Sequence, residues 1–419
     1  MRAGRCTAEG ASPRTRRFLG KAAGMGPLTG FRVVEIAGLG PGPFGAMLLS
    51  DMGAEVIRVD RADAARAADA TERPIDFVKL RGRQSVAVDL KHPAGPEVVL
   101  RLVERADALI EGFRPGVVDR LGIGPDACLA RNRRLVYAHM TGWGQEGPLA
   151  QTVGHDINYL ALSGLLDAIG PEGGGPVPPL NLVGDFGGGG MVLAFAVACG
   201  LLEAARSGQG QVIDVAMLDG IALLGGIFHG LRQIGRWNSA RGTNLLDGGA
   251  PFYNTYQTAD GRWVAVGAIE RKFYAVLLDA LGLDGAELPD QYDEGAWPEM
   301  RRRFAERFKE RTRAEWVGIM EGREACFSPV LTLDESLEHP HNVARSLFVG
   351  LDGVLQAAPA PRFGRTPGAI SAGTAAPGQH TRAALSEWGF GDDELDALLD
   401  AGAVADLERE PPGRTSIPA

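Results

Sequence analysis

His155 and Asp185 are the side chains with the best claim to chemistry in this chain. His155 stands in Gly154-His155-Asp156-Ile157-Asn158-Tyr159, and Asp185 in Gly184-Asp185-Phe186-Gly187-Gly188-Gly189-Gly190. An imidazole that titrates near neutrality both takes and returns a proton at working pH. One imidazole and one carboxylate are enough to move a proton on and off a carbon acid such as the α-carbon of a thioester. The plainer readings are a structural loop histidine and an aspartate N-cap. Capping does not explain four consecutive glycines, because each weakens a helix by about 1 kcal/mol relative to Ala. They are expected to let a ligand approach the backbone, with N–H groups at the helix start holding a developing enolate oxygen. Glu270 reads as a surface carboxylate unless it orients His155. Asp156 competes for that orienting role.

The elements that position these residues alternate. Phe31–Ala37 and Glu55–Asp60 read as strands on either side of a helix over Ala46–Met52. Further strands are expected at Ser85–Leu90, Ala108–Glu111, Leu135–His139 and Val212–Ala216, with helices between them. This alternation predicts an α/β fold with a doubly wound sheet. The loop Thr141–Pro148 then lies beyond a strand end, where open α/β sheets place ligands. A long apolar helix is expected from Phe186 to about Ala205. The glycine-rich stretch 217–248 reads as a linker.

A small α/β unit follows over 249–321. Strands are expected at Phe252–Thr258 and Trp263–Gly267, joined by an Asp260-Gly261 turn. Helices are expected at Phe273–Leu281, Trp297–Lys309 and Arg313–Glu321, the last opened by a Thr312/Glu315 capping box. Residues 322–405 return to the large domain 25–216. The segments 1–24 and 406–419 are expected to be disordered, with Met25 as a second start.

The chain of 419 residues is long enough for two domains. Its 45% hydrophobic and 23% charged residues are those of a globular enzyme. A net charge of -9 argues against a general nucleic-acid binder. Cys6, Cys128, Cys199 and Cys326 form no C-x-x-C, so neither a metal site nor a disulfide framework is expected. A reducing, cytoplasmic setting follows. No apolar run was expected to reach the roughly 18 residues of a membrane span.

Two further motifs bear on ligands. Gly40, Gly42 and Gly45 match the dinucleotide fingerprint G-x-G-x-x-G, with Asp60 following at about the right distance. Pro41 and Pro43 remove two N–H groups that such a loop would offer a pyrophosphate, so NAD binding is disfavoured. Arg58, Arg61, Lys79, Arg81, Arg83, Lys91 and Arg114 fall near strand ends. They form either a solvated face or a pocket for a nucleotide with several phosphates.

Taken together, these residues resemble the family III CoA-transferase superfamily, and within it the α-methylacyl-CoA racemases. The resemblance runs from about Gly26 to Ala403. It rests on Val34–Pro43, Gly53–Arg61, Val88–Lys91, Phe113–Val117, Gly142–Gln145, Gly184–Gly188, Gly267–Glu270 and Pro340–Asn342. It implies a Rossmann-like large domain built from both chain ends, a small domain, and an interlocked homodimer in which Glu270 acts across the interface. It also implies CoA binding near Arg61, at Val88, Asp89, Leu90 and Lys91, and through Gly154, Asp156 and Tyr159; Arg81, Arg83 and Arg114 join that set. Transferases of the superfamily use an aspartate at the Asp185 position as a nucleophile. Racemases carry Gly-His-Asp-x-Asn-Tyr, so His155 favours proton transfer. His139 departs from the family, where an Arg is expected. The function implied is cofactor-free racemisation of acyl-CoA thioesters in lipid metabolism. The alternatives are a CoA-transferase, an NAD-dependent oxidoreductase or a non-catalytic CoA-binding protein.

Overall fold

The computed structural model describes residues 26–67 and 77–407. The expected extension at 1–24 and nearly all of the expected tail lie outside them. The chain divides into two compact units. Among the described residues the first comprises 26–67, 77–156, Leu182–Gly220 and 349–407, and the second Ile157–Asn181 and Ile221–Phe348.

The first unit is built on a seven-stranded sheet. Its parallel strands are β1 (Arg32–Ile36), β2 (Glu55–Arg61), β3 (Arg83–Val88), β4 (Ala108–Glu111), β5 (Val136–Thr141) and β6 (Gln211–Ala216). Their spatial order is β3-β2-β1-β4-β5-β6, and the short C-terminal strand Val404–Ala405 adds antiparallel to β3. The order reverses between β1 and β4, and in open α/β sheets a ligand crevice forms beyond the carboxyl ends at such a point. Val34, Ile36, Ile57, Val59, Val86, Leu109 and Tyr137 line one core face, packed under Val99, Leu102, Leu385 and Trp388.

Leu182–Ser207 is one continuous helix of 26 residues, with mean hydropathy 1.7 in its most apolar window. By length and composition it is long and apolar enough to cross a membrane, which corrects the expectation that no segment qualifies. The glycine run does not break the helix, so the apolar stretch is longer than it looked. Its first part, Leu182–Met191, is π-helical, and Val192–Ser207 is α-helical. Leu193, Val197 and Leu201 are buried on one side, while Met191, Phe195 and Leu202 are exposed on the other.

The second unit has a three-stranded antiparallel sheet: β7 (Tyr253–Gln257), β8 (Trp263–Gly267) and β9 (Phe327–Pro329). The hairpin between β7 and β8 turns at Asp260-Gly261, where Gly261 adopts a φ of 74°. The capping box of Thr312 and Glu315 opens the helix Arg313–Met320. Phe252, Tyr256, Trp297, Phe304, Phe308 and Trp316 form the aromatic core. The strand β9 was not foreseen, because three residues are too few for an alternating pattern to show. The stretch read as a linker is helical over Met217–Gln233. One of its glycines marks a close approach: a Cβ on Gly220 would stand 1.9 Å from the Gly188 carbonyl oxygen.

Candidate active site

The carboxyl ends of the sheet gather the chemistry of the first unit. Beyond β1 the chain turns through Gly40 into the helix Pro41–Asp51. Gly40 has a φ of 65°, and a Cβ on it would lie 3.5 Å from Asp185 Oδ2. Asp185 is half-buried in the first turn of Leu182–Met191, past the helix start, and so is not the N-cap. The π-helical geometry is itself of a kind that concentrates at functional positions.

The glycine run also serves packing. A Cβ on Gly189 would stand 2.7 Å from Pro41 Cβ, and one on Gly190 would stand 2.6 Å from Phe44 Cδ1. Gly45 completes the contact from the other side, since its Cβ would meet Leu193 Cδ2 at 2.8 Å. The phenyl rings of Phe44 and Phe186 lie 4.9 Å apart, and Lys79 Nζ stands 5.3 Å from the Phe186 ring. Glycines thus let two helices touch and fix Asp185 against Gly40. Of the dinucleotide-like glycines, Gly45 belongs to this helix contact and Gly40 faces Asp185, whereas a Cβ on Gly42 would meet nothing within 4 Å.

Asp156 ties the two candidate acid/bases together. It is buried, follows His155 directly, and opens the helix Asp156–Leu162. Its Oδ2 accepts the N–H of Gly184 at 2.6 Å and that of Asp185 at 2.8 Å. These two N–H groups are therefore engaged, which corrects the expectation that they are open to an enolate oxygen. Burial raises the Asp156 pKa above the usual carboxylate value, and the charge of Asp185 adds to the rise against the two N–H groups. His155 itself is exposed. Sequence reasoning treated Asp156 as a ligand contact or a partner for His155. A carboxylate that binds a helix start from 28 positions away leaves no local signal.

Glu270 belongs to the second unit. It is exposed and precedes the helix Arg271–Leu281 without a side-chain capping bond. Tyr159 is buried on the helix Asp156–Leu162, and Gly154 is half-buried.

The expected cations divide into two groups. Arg61, Lys91 and Arg114 are exposed near the ends of β2, β3 and β4. Arg61 is paired with the exposed Asp63, its Nε donating to Oδ1 at 2.9 Å. Arg58, Arg81 and Arg83 are buried at 2%, 2% and 1% exposure, so they do not face solvent where a nucleotide would lie. Arg81 binds Asp51, the Gln356 side chain and the Ala357 carbonyl. Arg83 donates to Glu35 at 3.0 Å and also to the Pro43 carbonyl. Arg58 donates to Asp60 at 2.7 Å. These three knit the chain together, and the nucleotide role expected of Arg81 and Arg83 gives way to that structural one. Val88 is buried in the core; Asp89 and Leu90 are half-buried at the strand end. There the Asp89 N–H donates to the Ala403 carbonyl at 2.9 Å.

His139 and Glu111 pair in register at the ends of β5 and β4, both buried, with His139 Nδ1 in hydrogen-bond contact with Glu111 Oε1. Glu111 Oε2 accepts the Phe113 N–H at 2.7 Å. The residue that departs from the expected Arg thus anchors the turn that carries Arg114.

Comparison with known proteins agrees with this architecture. The mouse (Mus musculus) alpha-methylacyl-CoA racemase is 48% identical over 371 residues, covering 88% of this chain and 95% of that protein. The human enzyme of the same name is 45% identical over 386 residues, covering 90% and 98% respectively. A crystal structure of a CAIB/BAIF family protein from Brucella suis superposes with a TM-score of 0.74 at 24% identity, over 87% of this chain and 100% of that one. The family model for CoA-transferase family III matches residues 28–381. With a family match over most of its length, the chain belongs to CoA-transferase family III.

Proposed function

We propose that this protein is a racemase that inverts the α-carbon of 2-methylacyl-CoA thioesters by 1,1-proton transfer through an enolate. The observation that carries the reading is the linkage of the Gly154-His155-Asp156 segment to Asp185 through the Asp156 carboxylate. It joins the residue that follows His155 in the chain to the backbone that carries Asp185. His155 and Asp185 face opposite sides of the α-carbon; one removes the proton and the other delivers a proton to the opposite face. Glu270 orients His155. Relatives named as racemases, at 45% and 48% identity, support this choice of reaction.

Arg61, Lys91 and Arg114 take the CoA phosphates, beside the strand end Val88–Lys91 and the segment from Gly154 to Tyr159. The reaction requires no cofactor beyond the CoA that the substrate carries, and it serves lipid metabolism in the cytoplasm. The working form is an interlocked homodimer, in which Glu270 comes from the partner copy. Exposed Phe195, Leu202, Leu223 and Ile227, at 70%, 62%, 75% and 59%, offer apolar surface of the kind that a second copy would bury.

Incubation of one enantiomer of a 2-methylacyl-CoA in D₂O tests the reaction. Inversion with α-deuterium incorporation is expected, and an unchanged, unlabelled thioester contradicts it. A second reading, CoA transfer with Asp185 as nucleophile, is favoured by the family membership alone. An acyl adduct trapped on Asp185 in the presence of an acceptor acid would select it.

A further inference from the structure

Asp156 carries a carboxylate that neither removes nor delivers the α-proton in the mechanism above. It is only 6% exposed. One oxygen accepts two backbone N–H groups, one of them from Asp185 itself. The other oxygen is buried without a hydrogen-bond partner among the described residues. The site is shaped around this carboxylate, because a Cβ on Gly184 would stand 2.5 Å from its Oδ2. Burying an incompletely paired carboxylate costs stability. A less costly group would serve if the role were only to fill space.

We infer that Asp156 is the positioning residue for Asp185: it holds the backbone that aims the Asp185 carboxylate, and leaves His155, its neighbour in the chain, to be oriented separately. This rests on the reading above that His155 and Asp185 exchange the α-proton. Proton transfer falls steeply with misplacement, and a shift of about 1 Å costs on the order of 10²-fold in rate. The hydrogen bonds run to the Asp185 side only. Their loss therefore strikes one of the two acid/bases.

That asymmetry supplies the test. In a two-base racemase each enantiomer loses its proton to a different group. Asp156→Ala and Asp156→Asn would be assayed with each pure enantiomer of a 2-methylacyl-CoA in D₂O, following α-deuterium in recovered substrate and in product. His155→Ala and Asp185→Ala serve as references that identify which enantiomer each base serves. For Asp156→Ala we expect deprotonation of the Asp185-served enantiomer to fall about 10²-fold. Exchange without inversion in the His155-served enantiomer should persist, and KM should stay within a few-fold. Asp156→Asn keeps an oxygen able to accept both N–H groups and should recover about tenfold or more of the loss. Equal slowing of exchange without inversion in both enantiomers, a change confined to KM, or unchanged rates would overturn the inference. If Asp156→Ala does not fold, Asp156→Asn decides alone: slowed deprotonation confined to the Asp185-served enantiomer supports the inference, and symmetrical slowing or unchanged rates contradict it. Absence of exchange in the wild-type enzyme counts against the racemase reading; normal wild-type exchange with symmetrical variants counts against Asp156 alone.

Discussion

The α-carbon of Gly40 lies against the carboxylate of Asp185: a methyl group there would stand 3.5 Å from Oδ2 and 3.6 Å from Cγ. Gly40 is also the residue before the helix Pro41–Asp51, so the carboxylate sits at the positive end of that helix. Space for a methyl group exists, but the backbone does not suit one, with φ 65° and ψ -118°. Gly40→Ala should cost about 1–3 kcal/mol of stability. It should also lower the rate of α-proton exchange by disturbing Asp185. Thermal melts and the exchange assay check the two parts separately; an unchanged exchange rate would detach Gly40 from the site.

The division among the arginines makes an opposite pair of expectations. Arg81 and Asp51 are a buried ion pair, and burial raises the Asp51 pKa even against the arginine beside it. Arg81→Ala strands that carboxylate and should cost about 3–5 kcal/mol of stability, leaving KM for acyl-CoA within a few-fold where the protein remains folded. Arg114→Ala should do the reverse, raising KM and leaving the denaturation midpoint in place. Denaturant titration with steady-state kinetics on both variants checks this.

Replacement of His139 by Leu removes the partner of the buried Glu111 Oε1. The cost should be about 3–5 kcal/mol, as for a buried charge left unpaired. Glu111→Gln, which leaves an acceptor for the Phe113 N–H, should cost less than His139→Leu. Urea midpoints of the two variants rank them.

His380 sets an acid limit on stability. Its Nδ1 accepts the Ser85 N–H at 3.2 Å, which requires that nitrogen to be unprotonated. Burial, and next the charge of Arg58, hold its pKa below the ordinary value of 6.5. The unfolded chain therefore takes up this proton at a higher pH than the folded one. The stability it contributes is complete above 6.5 and is lost as the pH falls from there through the lowered folded value. Melting temperatures from about pH 8 to about pH 5 should fall on the acid side, and His380→Asn should flatten that part of the curve.

Much of the architecture was legible, and the reasons for the rest are physical. The β8 limits Trp263–Gly267 and the Thr312/Glu315 capping box follow from local patterns, and both stand as read. The Asp185 helix was legible as a helix. Its start was misplaced, because what holds that start is Asp156, which lies 28 positions earlier. Arg81 and Arg83 looked like surface cations because nothing near them in sequence shows their acids. Asp51 and Glu35 lie 30 and 48 positions away and meet them only when the sheet forms. The glycine run was marked as special, but the neighbours that Gly189 and Gly190 admit, Pro41 and Phe44, leave no local signal.

The central claim is that one of His155 and Asp185 removes the α-proton and the other delivers a solvent-derived proton to the opposite face. The most direct measurement places a single enantiomer of a 2-methylacyl-CoA with the enzyme in D₂O and follows configuration and α-deuterium together. The account predicts inversion of configuration with one deuterium at the α-carbon, and a loss of about 10²–10⁴-fold in His155→Ala. Inversion without deuterium, or an undiminished rate in His155→Ala, would contradict it.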